Sequence, residues 1–143
     1  ARAALEDGSA LEKFRQVIQA QGGNPKVVED PSLLPRAPHM QVVLSPQTGY
    51  LTQMDTHGCG NVCMHLGAGR QKKDETIDPT AGMVLHAKTG AFVHQGQPLA
   101  TLYTSDPSRF APAREELLDA LTFGEASPST EPLIYDRITS ESL

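Results

Sequence analysis

Hydrophobic residues recur at helical spacing near the start of the chain, with polar side chains between them. The apolar positions, three or four residues apart, are Leu11, Phe14, Val17 and Ile18. Because residues at this spacing share one helix face, the pattern predicts an amphipathic helix over residues 10–21. Ser9 and Glu12 have capping-box spacing at its start, and glycines 22–23 predict its end.

A proline-rich segment follows this helix and predicts a boundary between parts of the chain. Three prolines within residues 31–38 favour an extended connector that forms neither a helix nor a central strand. Residues 1–5 already have helix-forming composition without a start signal. We therefore expect a helical segment over residues 1–30 that continues from a missing upstream domain, a connector over 31–40 and an α+β domain over 41–143.

Beyond the connector, short hydrophobic runs between turn residues predict strands. Residues 41–44 and 50–54 flank a turn containing Pro46 and Gly49, which indicates a hairpin. Further strands are expected in four stretches, residues 81–88, 91–93, 98–104 and 133–138. The first three of these stretches predict a compact, strongly curved antiparallel sheet.

Two more helices are expected among these strands. A short one over residues 61–66 would stop at Gly67 and Gly69. A longer one over residues 111–123 has Pro112 in its first turn and an apolar stripe along one face. The fold class is therefore α+β, with an N-terminal helix, a curved antiparallel sheet and one later flanking helix.

Composition and charge exclude several classes of protein. The 143 residues suffice for one domain with a core, and 38% hydrophobic with 20% charged residues is typical of a soluble globular protein. The net charge of −5 comes with no basic stripe, so neither nucleic acid nor an anionic membrane is expected as a partner. No transmembrane run of ~20 apolar residues or signal peptide occurs, and a cytoplasmic location is expected.

A cluster of zinc-ligand types, His57, Cys59, Cys63 and His65, lies within nine residues. Only the two cysteines share one helix face, so tetrahedral closure from a single helical turn would be strained. We expect the cysteines to pack as small hydrophobic residues and the histidines to face solvent, with no metal bound.

A glycine-rich turn over residues 66–70 has the composition of an anion-binding loop but lacks the Walker ending. It also follows a predicted helix instead of preceding one. We therefore expect the glycines to form a tight helix exit, and Arg70 to make a structural ion pair or to cap carbonyl groups.

Serine and aspartate side chains offer no convincing catalytic set. Ser45, Ser105 and Ser108 lie beside prolines or acids, where serine ordinarily closes a turn. Asp74 and Asp78 follow two lysines in a hydrophilic segment, and we interpret both as surface charge.

The run Val-His-Gln-Gly-Gln-Pro-Leu within residues 92–100 is similar to the return strand of biotinyl and lipoyl carrier domains. Those domains attach their cofactor to a lysine in a Met-Lys hairpin, whereas Lys88 here precedes Thr89 and Gly90 without that context. The resemblance implies a barrel-sandwich or hammerhead-like sheet without a swinging arm.

Several segments, in order, carry a resemblance that covers nearly the whole chain. They are residues 8–15, 20–23, 34–35, 48–51, 54–56, 66–70, 76–78, 90–100 and 132–138. Together they resemble the carboxyl-terminal region of the thymidine and pyrimidine-nucleoside phosphorylases. The closing Tyr135-Asp136-Arg137-Ile138 resembles the bacterial thymidine phosphorylases most.

The resemblance implies reversible phosphorolysis of thymidine to thymine and 2-deoxyribose 1-phosphate by a cytoplasmic homodimer, with phosphate as substrate and no cofactor. In this family the phosphate- and base-binding residues lie in upstream motifs that do not occur here. We therefore expect no catalytic, substrate-binding or metal residue in this chain, and upstream catalytic domains of the same enzyme as its partners. Two alternatives stay open, a carrier-related binding module with a modified Lys88 and a small zinc protein.

Overall fold

The structure is a computed structural model that describes residues 1–70, 72–129, 132 and 134–139. The chain divides into two compact units, Ala1–Arg36 and Ala37–Leu143.

The first unit is built around the amphipathic helix that the sequence predicts. A short helix α1, Arg2–Glu6, precedes α2, Ser9–Ala20. The helix α2 ends as expected, because Gly22 adopts a φ of 78° and the Gly23 amide donates to the Ile18 carbonyl at 2.9 Å. The predicted capping box is wrong.

The start of α2 is capped by a residue outside the predicted box. Ser9 lies inside the helix, and Gly8, with a φ of 78°, stands at the cap position. The carboxylate of Asp7 accepts the Ser9 amide at 2.8 Å and so satisfies a donor at the helix start. Because Asp7 fills this role, the Ser9 hydroxyl is not needed as the cap.

The proline-rich segment is not wholly extended. Two 3-10 turns occupy Pro25–Val28 and Pro31–Leu33. In the second, the Asp30 carboxylate accepts the Ser32 amide at 3.0 Å. Proline fits the first position of such a turn because its missing amide would have no partner there. The prediction of a connector without helical turns is therefore wrong for residues 31–33.

The first unit leaves its apolar face open. None of its 36 residues is buried, and Leu11 and Phe14 are about half exposed. A groove of about 500 Å³ lies beside α2 and the two 3-10 turns. Its apolar lining includes Leu11, Phe14, Ile18, Val27, Val28, Pro31 and Leu34.

The second unit contains two three-stranded antiparallel sheets, with strand orders β1-β5-β3 and β4-β2-β6. Its strands are β1 His39–Leu44, β2 Gly49–Met54, β3 Gly82–Leu85, β4 Phe92–Val93, β5 Pro98–Thr104 and β6 Leu121–Gly124. Its helices are α3 Thr56–Cys63, which continues into a π-helical turn Met64–Ala68, and α4 Phe110–Asp119, which follows a 3-10 turn Pro107–Arg109. This architecture confirms the α+β class, and the sheets do not close into a barrel.

The predicted hairpin between β1 and β2 is wrong, because the two strands belong to different sheets. The segment between them is held by a distant turn. The Ser45 amide donates to the Gln97 carbonyl at 2.8 Å, and the Gly96 amide donates back to the Ser45 carbonyl at 2.9 Å. These bonds redirect the chain from one sheet to the other.

Both predicted helices of the second unit are present, but their observed bounds differ from the predicted ones. The helix α3 begins at Thr56 rather than at residue 61, since Asp55 caps it by accepting the His57 amide at 3.0 Å. The helix α4 ends at Asp119 rather than at residue 123. Residues 121–124 leave the helix because they pair with β2 as a strand.

The core of the second unit lies between its sheets and helices. The fully buried side chains of largest volume are Val43, Leu51, Val62, Leu66, Val93, Leu99, Leu102, Thr104 and Leu117.

A strand was predicted over residues 133–138, but the described part of that segment does not form one. Ile134 and Ile138 there are more than 70% exposed. Leu133 lies outside the described residues. No helix in the described part of the chain is long and apolar enough to cross a membrane.

Candidate functional site

A dense set of polar contacts between distant segments lies at the end of the π-helical turn that follows α3. Three consecutive carbonyl groups there accept hydrogen bonds from other parts of the chain. The donors are the Arg109 guanidinium to His65 at 3.0 Å, the Thr104 hydroxyl to Leu66 at 2.7 Å and the Asp78 amide to Gly67 at 2.9 Å. We call this set of residues the Asp78 junction: 65–67, 78, 104–106 and 109.

The Asp78 carboxylate connects two sides of the junction. One oxygen accepts the amide and the hydroxyl of Thr80 at 2.9 and 2.7 Å, and the other accepts the Ser105 amide at 3.1 Å. The Thr80 hydroxyl, followed by the contacts of Ser105, stabilises the charged form and lowers the pKa of Asp78 to about 2. Asp78 is therefore an anionic acceptor at neutral pH, and its lone pairs are directed at protein donors.

The link between β5 and α4 supplies the other half of the junction. The buried Thr104 hydroxyl also accepts the Asp106 amide at 3.1 Å, and the Asp106 carboxylate accepts the Ser108 amide and hydroxyl. The same carboxylate accepts from Arg109 at 3.4 Å. The hydrogen bonds from Ser108 stabilise the charged carboxylate and are the main reason that the pKa of Asp106 is lowered.

A positive backbone angle lets the chain turn sharply at this point. Gly67 adopts a φ of 118°, a region that side chains rarely tolerate. An added Cβ would stand 3.4 Å from the Cβ of Asp78 and 3.6 Å from that of Ala81, which are ordinary contacts. Glycine is therefore required here by the backbone conformation more than by crowding.

His65 extends the polar contacts onto α4. Its Nδ1 lies 2.6 Å from the Glu116 carboxylate, and both side chains are about one-third exposed. A cavity of about 310 Å³ beside it is lined by His65, Glu75, Arg109 and Pro112. His65 was expected to face solvent, and it does so only in part, because α4 brings Glu116 against it.

The chemistry available to the junction follows from these contacts. Its carboxylates and hydroxyls are engaged with protein amides and hydroxyls, so none is poised as a free base or nucleophile in this arrangement. The adjoining cavity, about 120 Å³, is lined by Asp78, Asp106 and Arg109 among others, and the Arg109 guanidinium already donates to the Asp106 carboxylate and the His65 carbonyl. The junction is therefore suited to fixing backbone positions.

The other three residues of the His and Cys cluster, for which no metal site is expected, lie on α3. His57 is exposed, Cys59 is buried and Cys63 is half-buried, as the packing interpretation of the cysteines expects. Burial raises the pKa of both thiols. Within the described residues, no group of three or more His, Cys, Asp or Glu side chains is arranged to hold a metal ion.

The glycine-rich turn behaves as a helix exit, as predicted, and the arginine that caps a carbonyl there is Arg109. Arg70 is exposed. The carbonyl of His65 accepts instead from Arg109, whose 3-10 turn lies against the same end of the helix. The sequence around Arg109 gave no sign of this contact, because the two residues are 44 positions apart.

The predicted turn roles are confirmed for Ser45 and Ser108, whereas Ser105 contacts a distant segment. The Ser45 hydroxyl donates to the Gln47 carbonyl at 2.7 Å. Ser105 donates its amide to Asp78, and the Ser108 amide and hydroxyl both donate to Asp106. Each of these contacts holds backbone in place.

Two expectations for charged residues have different outcomes. Asp74 is exposed, as predicted for surface charge, whereas Asp78 is half-buried and connects three segments. The surface-charge interpretation of Asp78 is therefore wrong. Lys88 is exposed in a turn closed by a 3.0 Å bond from the Ala91 amide to the Lys88 carbonyl.

One sequence signal could have located part of the junction. The tripeptide Asp-Pro-Ser/Thr occurs at residues 30–32, 78–80 and 106–108, and each time the aspartate accepts the amide and the hydroxyl two residues later. Proline fixes φ and the aspartate side chain satisfies the following amide, so the pattern predicts a turn from local chemistry. The contacts of Thr104 and Arg109 have no comparable local signal.

Comparison with known proteins identifies relatives across most of the chain. The model of the family described as "Pyrimidine nucleoside phosphorylase C-terminal domain" matches residues 50–124. The chain is 36% identical over 136 residues to the pyrimidine-nucleoside phosphorylase of Geobacillus stearothermophilus, covering 95% of this chain and 31% of that protein. It is 37% identical over 134 residues to the thymidine phosphorylase of Mycobacterium tuberculosis strain H37Rv, covering 94% and 30%.

A third relative matches a shorter stretch. The pyrimidine-nucleoside phosphorylase of Bacillus subtilis strain 168 is 40% identical over 109 residues, which are 73% of this chain and 25% of that protein. The chain therefore spans about 30% of the length of the first two curated relatives described above. The Asp78 junction lies inside the segment that matches the family.

Proposed function

Because the chain belongs to the pyrimidine nucleoside phosphorylase family and corresponds to its C-terminal domain region, we propose that it is the supporting domain of an enzyme that cleaves pyrimidine nucleosides with phosphate. The observation that carries this proposal is the match over 94–95% of the chain to proteins named for that activity. The whole reaction belongs to the longer enzyme.

The proposed reaction is reversible phosphorolysis of thymidine. Phosphate displaces thymine from the sugar, and the products are thymine and 2-deoxyribose 1-phosphate. The glycosidic bond breaks as a bond from the anomeric carbon to a phosphate oxygen forms, so the step is a pentosyl transfer without net oxidation or reduction. It needs no metal or redox cofactor to balance.

The proposed role of this chain is to support and position. The Asp78 junction joins the Gly67 turn to Asp78 and to the link between β5 and α4, and so fixes these three segments relative to one another. No residue of the chain is proposed as a catalytic or substrate-binding group. Those groups would lie on upstream domains of the same enzyme, which would act as a cytoplasmic homodimer.

A carrier-domain function is less favoured. The match to phosphorylases extends over both units, whereas the similarity to carrier domains rests on residues 92–100. A carrier would also require a modified Lys88. An intact mass equal to the sequence mass, obtained from protein made in its natural host, would exclude that modification.

The test compares the 143-residue chain with the full-length protein encoded by the gene that contains it. We expect the full-length protein to release thymine from thymidine only when phosphate is supplied, and the isolated chain to release none. Thymine release is followed by chromatography, with phosphate omitted as the control. Turnover by the isolated chain, or none by a folded full-length protein with any pyrimidine nucleoside, would overturn the proposal.

A further inference from the structure

An apolar face is left uncovered on the outer side of the β1-β5-β3 sheet. Met40, Val42 and Leu44 alternate along β1 and are 69%, 43% and 47% exposed, and Val84 on β3 is 50% exposed. We call these four residues, together with Tyr103 on β5, the outer face. A large contiguous apolar patch on the surface of a soluble protein marks an interaction site.

The pairing of the strands shows that these side chains form one surface. Met40 lies opposite Tyr103, and Thr101 lies between Val42 and Val84 in the next row. Directly paired residues of an antiparallel sheet point to the same side, so the rows are continuous across all three strands. Thr101 is only 7% exposed because the neighbouring side chains flank it, and His86 lies 2.8 Å from its hydroxyl.

The charge of the sheet indicates what kind of surface would cover it. No Lys, Arg, Asp or Glu occurs in β1, β3 or β5. Exposed edge strands such as β1 are ordinarily protected by charged side chains that discourage pairing with other chains. A sheet without this protection fits an apolar partner that stays in place permanently.

The position of β1 in the chain points to one occupant. The strand begins at His39, just after the boundary between the two units at residues 36–37, and it precedes the segment 50–124 that matches the family. The matched region makes up 31% and 30% of the two relatives, so most of the polypeptide of each relative lies outside it. We propose that the outer face docks against an apolar surface of the upstream polypeptide of the same enzyme, which holds this domain in a fixed orientation.

This inference rests on the proposed function, because it treats the chain as one domain of a longer enzyme. Its first test is hydroxyl-radical footprinting of the isolated chain and of the full-length protein, read by mass spectrometry. Labelling of Met40 should fall several-fold in the full-length protein, while labelling of Phe92, which is 47% exposed on the other sheet, should fall less. Equal labelling of Met40 in both proteins would overturn the proposal.

A second test uses a matched pair of lysine substitutions. In the isolated chain, Val84→Lys should leave the melting temperature nearly unchanged, because the lysine side chain reaches water. In the full-length protein, the same substitution should lower the melting temperature by several degrees. The control is Thr122→Lys, at an exposed strand position of the other sheet, which should have little effect in either protein. The same small effect of Val84→Lys in both proteins would contradict the docking.

The remaining outcomes distinguish upstream polypeptide from a second copy of the chain as the occupant of the outer face, and distinguish failure of the docking from failure of the proposed function. If the isolated chain forms a dimer in light scattering that Val84→Lys dissociates, the occupant is a second copy and the proposal is wrong. Thymine release is measured on the same full-length protein. Protection of Met40 in a protein that cleaves no pyrimidine nucleoside would sink the proposed function and support the docking, whereas an active protein with unprotected Met40 would do the reverse.

Discussion

The carboxylate of Asp78 accepts the backbone amide of Ser105 at 3.1 Å and thereby joins two segments that are 27 residues apart. The same Asp-Pro-Ser/Thr turn occurs at Asp30 and Asp106, whose carboxylates bond within three residues of themselves. Asp78 alone of the three adds a bond to a distant segment. One local motif thus serves as a turn at two positions and as a tertiary connection at the third.

Replacing Asp78 with asparagine should destabilise the second unit. The amide side chain can still accept from Thr80 with its oxygen, but its NH2 group cannot accept from Ser105. We expect the free energy of unfolding to fall by about 1 kcal/mol, the usual size for one net hydrogen bond. Urea unfolding followed by circular dichroism measures it. Asp30→Asn, which alters the same motif without a distant contact, should change stability much less, and an equal loss would contradict the role of Ser105.

The contribution of Asp78 should depend on pH in a defined window. Hydrogen bonds lower its pKa from 3.8 to about 2, so the folded state holds the charged form more tightly than the unfolded state. The stabilisation is complete above the unfolded pKa and is lost as pH falls through the folded value. The stability difference between wild type and Asp78→Asn should therefore narrow between about pH 4 and pH 2. Urea midpoints across this range test it; a constant difference would contradict it.

The sequence predicted those elements whose evidence is local. The helix predicted over residues 10–21 is observed at Ser9–Ala20, because its apolar spacing is contained within the helix. Strand β5 is predicted because its strand-forming residues are consecutive. The prediction of a β1–β2 hairpin was wrong because β1 pairs instead with β5, which lies far along the chain. The junction was missed for the same reason, because the donors to residues 65–67 lie up to 44 positions away.

Removing the Thr104 hydroxyl should lower the free energy of unfolding by more than removing an exposed hydroxyl does. It is buried, donates to the Leu66 carbonyl and accepts the Asp106 amide. Thr104→Val keeps the shape but leaves both groups without this partner, so we expect a loss of about 2 kcal/mol in the free energy of unfolding. Thr122→Val, at an exposed strand position, is the control. Equal urea midpoints for the two variants would show that the buried hydroxyl contributes nothing.

The two cysteines should react slowly with thiol reagents in the folded protein. Burial raises the pKa of both, and the Asp55 carboxylate also raises that of Cys59, so little thiolate is present at neutral pH. We expect both to react several-fold faster with a disulfide reagent after unfolding in urea, and Cys59 to be the slower in the folded state. Single Cys59→Ala and Cys63→Ala variants assign the rates. A fast folded-state reaction at Cys59 would contradict its burial.

Alanine substitutions at two nearby glycines should change the stability of the protein in opposite directions. Gly67 has a φ of 118°, which alanine adopts only with strain, so Gly67→Ala should lower the free energy of unfolding by about 1–3 kcal/mol. Gly60 lies within α3, has no heavy atom within 4 Å of an added Cβ, and alanine there would restrict the unfolded chain; Gly60→Ala should raise stability by about 0.5–1 kcal/mol. Thermal or urea unfolding of the two variants gives the signs directly. If both substitutions stabilise the protein, the left-handed turn at Gly67 does not exist in solution, and the three carbonyls that it helps to present to Arg109, Thr104 and Asp78 must be held in another way.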